Sequence, residues 1–332
     1  MIAHGGNLRE AATRYGRPLD DWIDLSTGIN PNGYPVPTLG PDVWHRLPEP
    51  DPELVAAACA CYGAPALLPV AGTQAAIQAL PRLRRPGRVV VSSPSYAEHA
   101  HCWAGAGHAV HEARFDELEG VLDDCDVMVV CNPNNPTGAT VEAQRLLDWS
   151  GRLANRGAWL VVDEAFGEVA PALTVAPHAH RPGLIVLRSV GKFFGLAGLR
   201  LGFVAAHDAL LDALSTCLGP WSVSTPAQQI GKAALSDRAW QGRTREALLR
   251  DGMRLHTLLA RHGIATTGTA LFRYWPYAQA AAFQQHMARH GVWVRRFDAP
   301  AQGVRLGLPG SEAGWQRLET ALAAWARMEH AA

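Results

Sequence analysis

Lys192 is the residue whose type first invites chemistry. Of thirty basic residues, 28 are arginines and only Lys192 and Lys232 are lysines. A guanidinium stays protonated and is a poor nucleophile, whereas an amine can lose its proton and form an imine with a carbonyl. A chain that meets nearly every need for positive charge with arginine has kept Lys192 for that other task. Its flanks, from Arg188-Ser189-Val190-Gly191 to Phe193-Phe194-Gly195-Leu196-Ala197-Gly198-Leu199-Arg200, are apolar and glycine-rich, unlike a solvated face. Lys232, on an expected helix after Pro226, reads as a surface lysine.

Four further sites complete a pattern. Asp163 closes the apolar run Trp159–Asp163 and leads into Glu164-Ala165-Phe166. A carboxylate at the end of a buried strand is costly unless it meets a cation. Asp163 therefore reads as a helix cap or as the partner of a protonated ring nitrogen. Asn132-Pro133-Asn134-Asn135-Pro136-Thr137-Gly138 is a rigid turn in which Asn135 can offer an amide to a ligand, or serve as ordinary turn polarity. Gly72-Thr73 turns from a strand into a helix, and free backbone N–H groups there suit a phosphate. Ser189 and Arg200, beside Lys192, supply a hydroxyl and a guanidinium for a dianion. A phosphate cradle, an acid for a pyridinium nitrogen, an amide for a ring hydroxyl and a lysine for an aldehyde together describe pyridoxal 5'-phosphate (PLP).

The elements that must position these groups follow from hydrophobic pattern. Short apolar runs predict strands at Leu67–Ala71, Arg88–Ser92, Ala109–Glu112, Val127–Cys131, Trp159–Asp163, Leu184–Arg188 and Leu201–Ala205. Such runs mark strands covered on both faces. Helical stretches at 73–84, 95–105 and 141–156 alternate with them. The expected fold is α/β, a mostly parallel seven-stranded sheet covered by helices, with ligands beyond the strands' carboxyl ends. A short helix capped by Asn7 is expected over 7–16. After Pro226 the pattern changes to a long helical span reaching His262, broken near Ser236-Asp237. Short strands follow at Leu271–Trp275, Val292–Arg296 and Val304–Leu308. A final helix is capped by Ser311 and buries Trp315, Leu318, Leu322 and Trp325. The expected division is an N-terminal segment 1–40, a large domain 41–225 and a small α+β domain 226–332.

Bulk properties exclude other classes. At 332 residues the chain exceeds the roughly 250–300 at which one core stops growing, so two lobes are expected. Zero formal net charge leaves no basic field for nucleic acid or an anionic membrane. No apolar run approaches the roughly 20 residues of a membrane span, and Met1-Ile2-Ala3-His4-Gly5-Gly6 does not read as a signal peptide, so a cytoplasmic enzyme is expected. The six cysteines form no CxxC pair, and His99-x-His101 and His178-x-His180 lack nearby acidic partners, so no metal site is expected.

Residues 132–138, the Asp163-Glu164-Ala165-Phe166 run and the Ser189–Lys192…Arg200 run, in that order, resemble the fold type I PLP-dependent enzymes of the class I/II aminotransferase family. The resemblance covers nearly the whole chain. It implies that Lys192 is the Schiff-base lysine, Asp163 the ring-nitrogen partner and Asn135 the donor to the 3′-oxygen. Ser189, Arg200 and the amides of Gly72 and Thr73 would hold the cofactor phosphate. Tyr96 would stack on the ring, and a homodimer is the family habit. Phe166 stands where many relatives carry a tyrosine that bonds the 3′-oxygen. Leu47 stands where many carry a tyrosine that reaches the neighbouring subunit's cofactor. The opening His4-Gly5-Gly6-Asn7, followed by Asp24-Leu25-Ser26-Thr27-Gly28-Ile29-Asn30-Pro31, is similar to a narrower branch, the threonine-phosphate decarboxylases of cobalamin biosynthesis. That branch implies loss of CO2 from a phosphorylated amino acid, with His4, Gly5, Gly28, Asn30, Arg305 and one of Arg295 and Arg296 at the substrate. The rival readings are an aminotransferase, such as one acting on histidinol phosphate, and a binding protein without catalysis.

Overall fold

A computed structural model describes residues 5–331, with side chains to residue 328; His4 lies outside the described residues. By packing the chain divides into two compact units, residues 33–135 with 139–243, and residues 1–32 with 136–138 and 244–332.

The larger unit carries the sheet. In chain order the first elements are α1 (Leu8–Tyr15) and β1 (Ile23–Asp24), both in the smaller unit. The larger unit then runs through α2 (Pro52–Tyr62), β2 (Leu68–Val70), α3 (Thr73–Ala79), β3 (Arg88–Ser93), α4 (Glu98–Gly105) and β4 (Ala109–Arg114). It continues with β5 (Val127–Cys131), α5 (Ala143–Ala154), β6 (Trp159–Asp163), β7 (Leu184–Ser189), β8 (Gly202–Ala205), α6 (Asp208–Leu218) and α7 (Thr225–Ser236). The seven strands lie in the order β2-β8-β7-β6-β5-β3-β4. β7, β6, β5, β3 and β4 are mutually parallel, and β8 and β2 add antiparallel partners at one end. The chain leaves β3 toward β4 on one side and β5 toward β6 on the other. A crevice for a ligand therefore opens between the ends of β3 and β5.

These elements form where the residues ask for them. β5 is buried at all five positions and β7 at all six, as expected for a doubly covered parallel sheet. Asp51 caps α2 by accepting from Glu53 N at 2.9 Å, with Pro52 in the first turn. Lys232 binds both Asp51, at 3.0 Å, and Glu53, at 2.8 Å, so it ties α7 to the start of α2 rather than standing alone in solvent. α5 buries Leu146, Leu147, Trp149, Ser150 and Leu153 along one face.

The helical span after Pro226 breaks where expected. α7 ends at Ser236, and Asp237 accepts from Trp240 N at 2.9 Å to cap α8 (Arg238–Arg261). The compact units and the expected domain bounds differ over 33–40, 136–138 and 226–243; within the last stretch α7 packs on α2.

The smaller unit is α+β. β9 (Thr267–Thr269), β10 (Phe272–Pro276), α9 (Ala280–Arg289), β11 (Val292–Trp293), β12 (Arg295–Phe297), β13 (Gly303–Gly307) and α10 (Glu312–Ala331) follow α8. An antiparallel sheet has the order β12-β13-β10-β9, and β1 pairs with β11 in parallel. The run expected as one strand at 292–296 is thus two pieces with different partners. Ser311 Oγ accepts from Gly314 N at 3.2 Å, and Trp315, Leu318, Leu322 and Trp325 are all buried. Asn7 does occupy the cap position of α1, but its side chain makes no capping hydrogen bond.

Candidate active site

A cavity of about 160 Å³ in the larger unit is lined by Gly72, Tyr96, Asn135, Asp163, Ser189, Lys192 and Arg200, with Thr73, Gln74, Cys131 and Phe166 among the other residues. Eight residues singled out for PLP, spread from position 72 to 200, therefore share one wall. The strand ends explain this. Cys131 and Asp163 are register partners at the ends of β5 and β6, and Ser189 ends β7.

Each wall residue is held by its own local structure. Asp163 is 6% exposed. One carboxylate oxygen accepts from Ala165 N at 3.0 Å, and the other meets His99 Nε2 at 2.9 Å. His99, on the first turn of α4, is wholly buried. Burial alone would depress its pKa, but the hydrogen bonds to Asp163 and to the neighbouring Cys131 outweigh that and raise it to about 10. The expectation that His99 lacks an acidic partner is thus corrected: the partner lies 64 positions away in sequence. His99, Cys131 and Asp163 bring their ligand-type atoms within 4.8 Å of one another. The short His99–Asp163 contact makes an ion pair of two of them.

In the turn after β5 the asparagines divide the work. Asn132 exchanges two hydrogen bonds with the backbone of Val141, at 2.9 and 2.8 Å. Asn134 donates to Pro94 O at 2.8 Å and accepts from Ser95 Oγ at 3.0 Å. Both close the turn, and Asn135 lines the cavity. The amine of Lys192 lies 5.6 Å from the centre of the Phe166 ring, which is buried.

The expected phosphate cradle is built around glycines. Gly72 has φ +73°, and a Cβ there would come within 2.6 Å of the Arg200 guanidinium. Both conformation and space require glycine. Its own N–H, expected to bind a phosphate, instead donates to Val70 O at 2.7 Å. The amides on offer therefore begin at Thr73, where Gly202 keeps the approach open: a Cβ at 202 would sit 2.7 Å from Thr73 N. Ser189 Oγ accepts from Gly191 N at 3.1 Å, which leaves its hydroxyl hydrogen to donate.

Behind the wall lies a buried ion cluster that sequence reading did not find. Arg188 pairs with Glu164 at 2.5 Å and Glu168 at 3.0 Å, and its guanidinium covers the Tyr62 ring at 4.4 Å. Thr174 and Val175 add hydrogen bonds to Glu164. Burial raises the Glu168 pKa against the pull of Arg188. The cluster joins the residues next to Asp163 and Ser189. Its only sequence signal was charge inside otherwise apolar strand ends.

The remaining described candidates, Gly5, Gly28, Asn30, Arg295 and Arg305, lie in the smaller unit. Ser26 is their hub. Its Oγ accepts from Gly6 N at 2.8 Å and its carbonyl from Arg305 at 2.7 Å, and Asp24 holds its amide and hydroxyl at 2.8 and 2.6 Å. A Cβ on Gly5 would strike the Ser26 carbonyl at 2.5 Å, and Gly28 takes φ +62°. Asn30 is buried and accepts from Asn32 N at 2.9 Å. Arg295 and Arg305 are directly opposite across β12 and β13. Burial lowers both guanidinium pKa values relative to an exposed arginine; the charge of Arg295 lowers that of Arg305 further, while Arg295 is raised by Asp298 and lowered by its neighbour Arg296. A buried cation beside a second cation is relieved by an incoming anion. Arg296 instead pairs with exposed Asp298 at 3.3 Å.

The wall fits PLP in donor and acceptor chemistry. It offers an acid, an amide, an amine, and a hydroxyl beside a guanidinium. Comparison with known proteins leads to the same place. The family model "Aminotransferase class I and II" matches residues 36–331. The chain is 53% identical over 331 residues to a threonine-phosphate decarboxylase of Pseudomonas aeruginosa, covering 99% of this chain and 100% of that one. It is 41% identical over 338 residues to a threonine-phosphate decarboxylase of a Sinorhizobium species, covering 99% and 98%. The fold is similar to the crystal structure of histidinol-phosphate aminotransferase from Sinorhizobium meliloti in complex with pyridoxal-5'-phosphate, with TM-score 0.81 at 21% identity over 98% and 96% of the two chains. With a mostly parallel sheet whose strand ends bring Lys192, Asp163, Ser189 and Arg200 to one cavity, and a family match over residues 36–331, this chain belongs to the class I and II aminotransferase family.

Proposed function

We propose that this chain is a PLP-dependent carboxy-lyase that converts L-threonine O-3-phosphate to (R)-1-amino-2-propanol O-2-phosphate and CO2, in cobalamin biosynthesis. The observation that carries this reading is the 53% identity, over essentially the whole of both chains, to a threonine-phosphate decarboxylase. The histidinol-phosphate aminotransferase structure shares the fold at 21% identity and supports the architecture alone.

PLP, when bound, supplies an electron sink for the pair left at Cα when a bond perpendicular to its ring breaks. The chain's residues do the rest. The Lys192 amine would hold the cofactor through its aldehyde and is placed to return a proton to the substrate Cα after loss of CO2. Asp163 keeps a proton on the ring nitrogen, and His99 holds Asp163 from behind. Asn135 would donate to the ring oxygen, and Phe166 has no hydroxyl to add a second bond. Ser189, Arg200 and the Thr73 amide hold the phosphate, Gly72 makes room for Arg200, and Tyr96 covers the ring. Gly5, Gly28 and Asn30 shape the substrate segment. Arg295 and Arg305 answer the substrate's phosphate and carboxylate. Held in this way, the carboxylate rather than the Cα proton would be the group lost, which selects CO2 release over transamination.

The proposal extends to a cytoplasmic homodimer and to the division 1–40, 41–225 and 226–332. The exposed apolar side chains of Val36, Trp44 and Leu47 support self-association. The deciding experiment incubates the holoenzyme with phosphothreonine and no 2-oxo acid. One CO2 per aminopropanol phosphate is expected. Activity that demands a 2-oxo acid and releases no CO2 would establish a transaminase instead.

A further inference from the structure

We propose that Gln74 is a positioning residue for Tyr96, and that the hydrogen-bonded chain Tyr96–Gln74–Glu98 sets the tilt of the ring that covers the cofactor cavity. The proposal rests on the reading that this cavity holds PLP. The Tyr96 hydroxyl donates to Gln74 Oε1 at 3.2 Å, and Gln74 Nε2 donates to Glu98 Oε2 at 2.8 Å. The three residues come from three segments: the turn after β3, the first turn of α3 and the first turn of α4. The link thus runs from the phosphate cradle, where Gln74 follows Thr73, to the ring and on to the helix that carries His99. His99 meets the Tyr96 ring edge-on, with centroids 6.0 Å apart and planes at 83°.

The chemistry fixes the direction of this chain. A carboxylate can only accept, so the Gln74 amide turns its NH2 to Glu98 and its oxygen to Tyr96, whose hydroxyl, able to donate or accept, donates here. Gln74 is therefore the adapter between them, and its bond to Glu98 is the charge-assisted one. The hydroxyl lies on the long axis of the ring, so anchoring it fixes the tilt of that axis. Because a phenol O–H prefers the ring plane, the anchor also favours ring planes that contain the acceptor. Burial, followed by the charge of Glu98, raises the Tyr96 pKa to about 12, so the hydroxyl remains a donor. The charged and titratable groups facing this chain are Asp163 on β6, Cys131 at the end of β5, Arg200 before β8, and His99 and Cys102 on α4.

The test compares the holoenzyme with Gln74→Leu, Gln74→Glu and the double variant Gln74→Glu/Glu98→Gln. The readouts are the PLP dissociation constant, the cofactor absorption spectrum from pH 6 to 9, and kcat and KM separately. Circular dichroism shows that each variant is folded. Gln74→Leu removes the adapter and should weaken PLP binding by about tenfold, the worth of one or two such hydrogen bonds. Gln74→Glu sets two carboxylates together, so its binding should be near normal only at low pH, where they share a proton, and should fall as pH rises. In the double variant the carboxylate at position 74 accepts from both neighbours, and pH-independent binding should return. A folded double variant without that recovery overturns the proposal, as does a Gln74→Leu protein with native affinity and spectrum. If the native protein takes up no PLP at all, the cofactor reading fails instead, which is a separate outcome.

Discussion

At the residue scale, the site depends on pairings that give ordinary side chains unusual roles. Lys192 sits beside a phenylalanine ring in a wall with Asp163 and Asn135. Lys192→Ala is expected to leave the fold standing and to cut turnover by at least about 10²–10⁴-fold, the scale for losing one chemical group. Circular dichroism with a CO2-release assay checks this, and retained turnover would refute the role. The His99–Asp163 pair has a pH signature. His99 has its pKa raised from 6.5 to about 10 in the folded chain. Its contribution is therefore full below about pH 6.5 and lost as pH rises toward 10. Melting curves of the native protein should fall more steeply across that window than those of His99→Gln, and parallel slopes would contradict the pairing. Lys192 stood out in the sequence because lysine is so scarce. His99 did not, because its partner lies on another strand and nothing local marks it.

At the element scale, local signals predicted most of what was observed. Ser311, the break at Asp237 and the buried runs of β5 and β7 are read from adjacent residues, because caps and strand burial depend on short-range pattern. The failures share a cause. Asn7 has a capping residue type without the capping bond, and the run at 292–296 was split by partners that periodicity does not reveal. Lys232 is a surface lysine, as expected, and also joins α7 to the capped start of α2. Asp51→Ala removes that cap and one partner of Lys232. It should cost about 0.5–2 kcal/mol, read as a lower denaturant midpoint; an unchanged midpoint would show that the cap is redundant. Leu153→Ala, at a fully buried position on α5, should cost about 2–5 kcal/mol by the same measurement.

At the scale of the whole molecule, cofactor and fold should be coupled. A ligand that binds only the folded chain stabilises it by about 2.7 kcal/mol at a hundred times its dissociation constant. Thermal melts should therefore rise with added PLP, and Lys192→Ala should show a smaller rise. Equal melts with and without PLP would count against the cavity as its site. The sequence alone determined the alternation of strands and helices, the residues at strand ends and the caps, because each depends on a few neighbouring side chains. The tertiary structure alone decided that β3 lies beside β5, and hence that His99 meets Asp163. It also decided that Gln74 joins Tyr96 to Glu98, that Arg188 is buried between two glutamates, and that the Gly72 amide is already spent. Those contacts depend on strand order and on the packing of segments tens of residues apart, which no local pattern encodes.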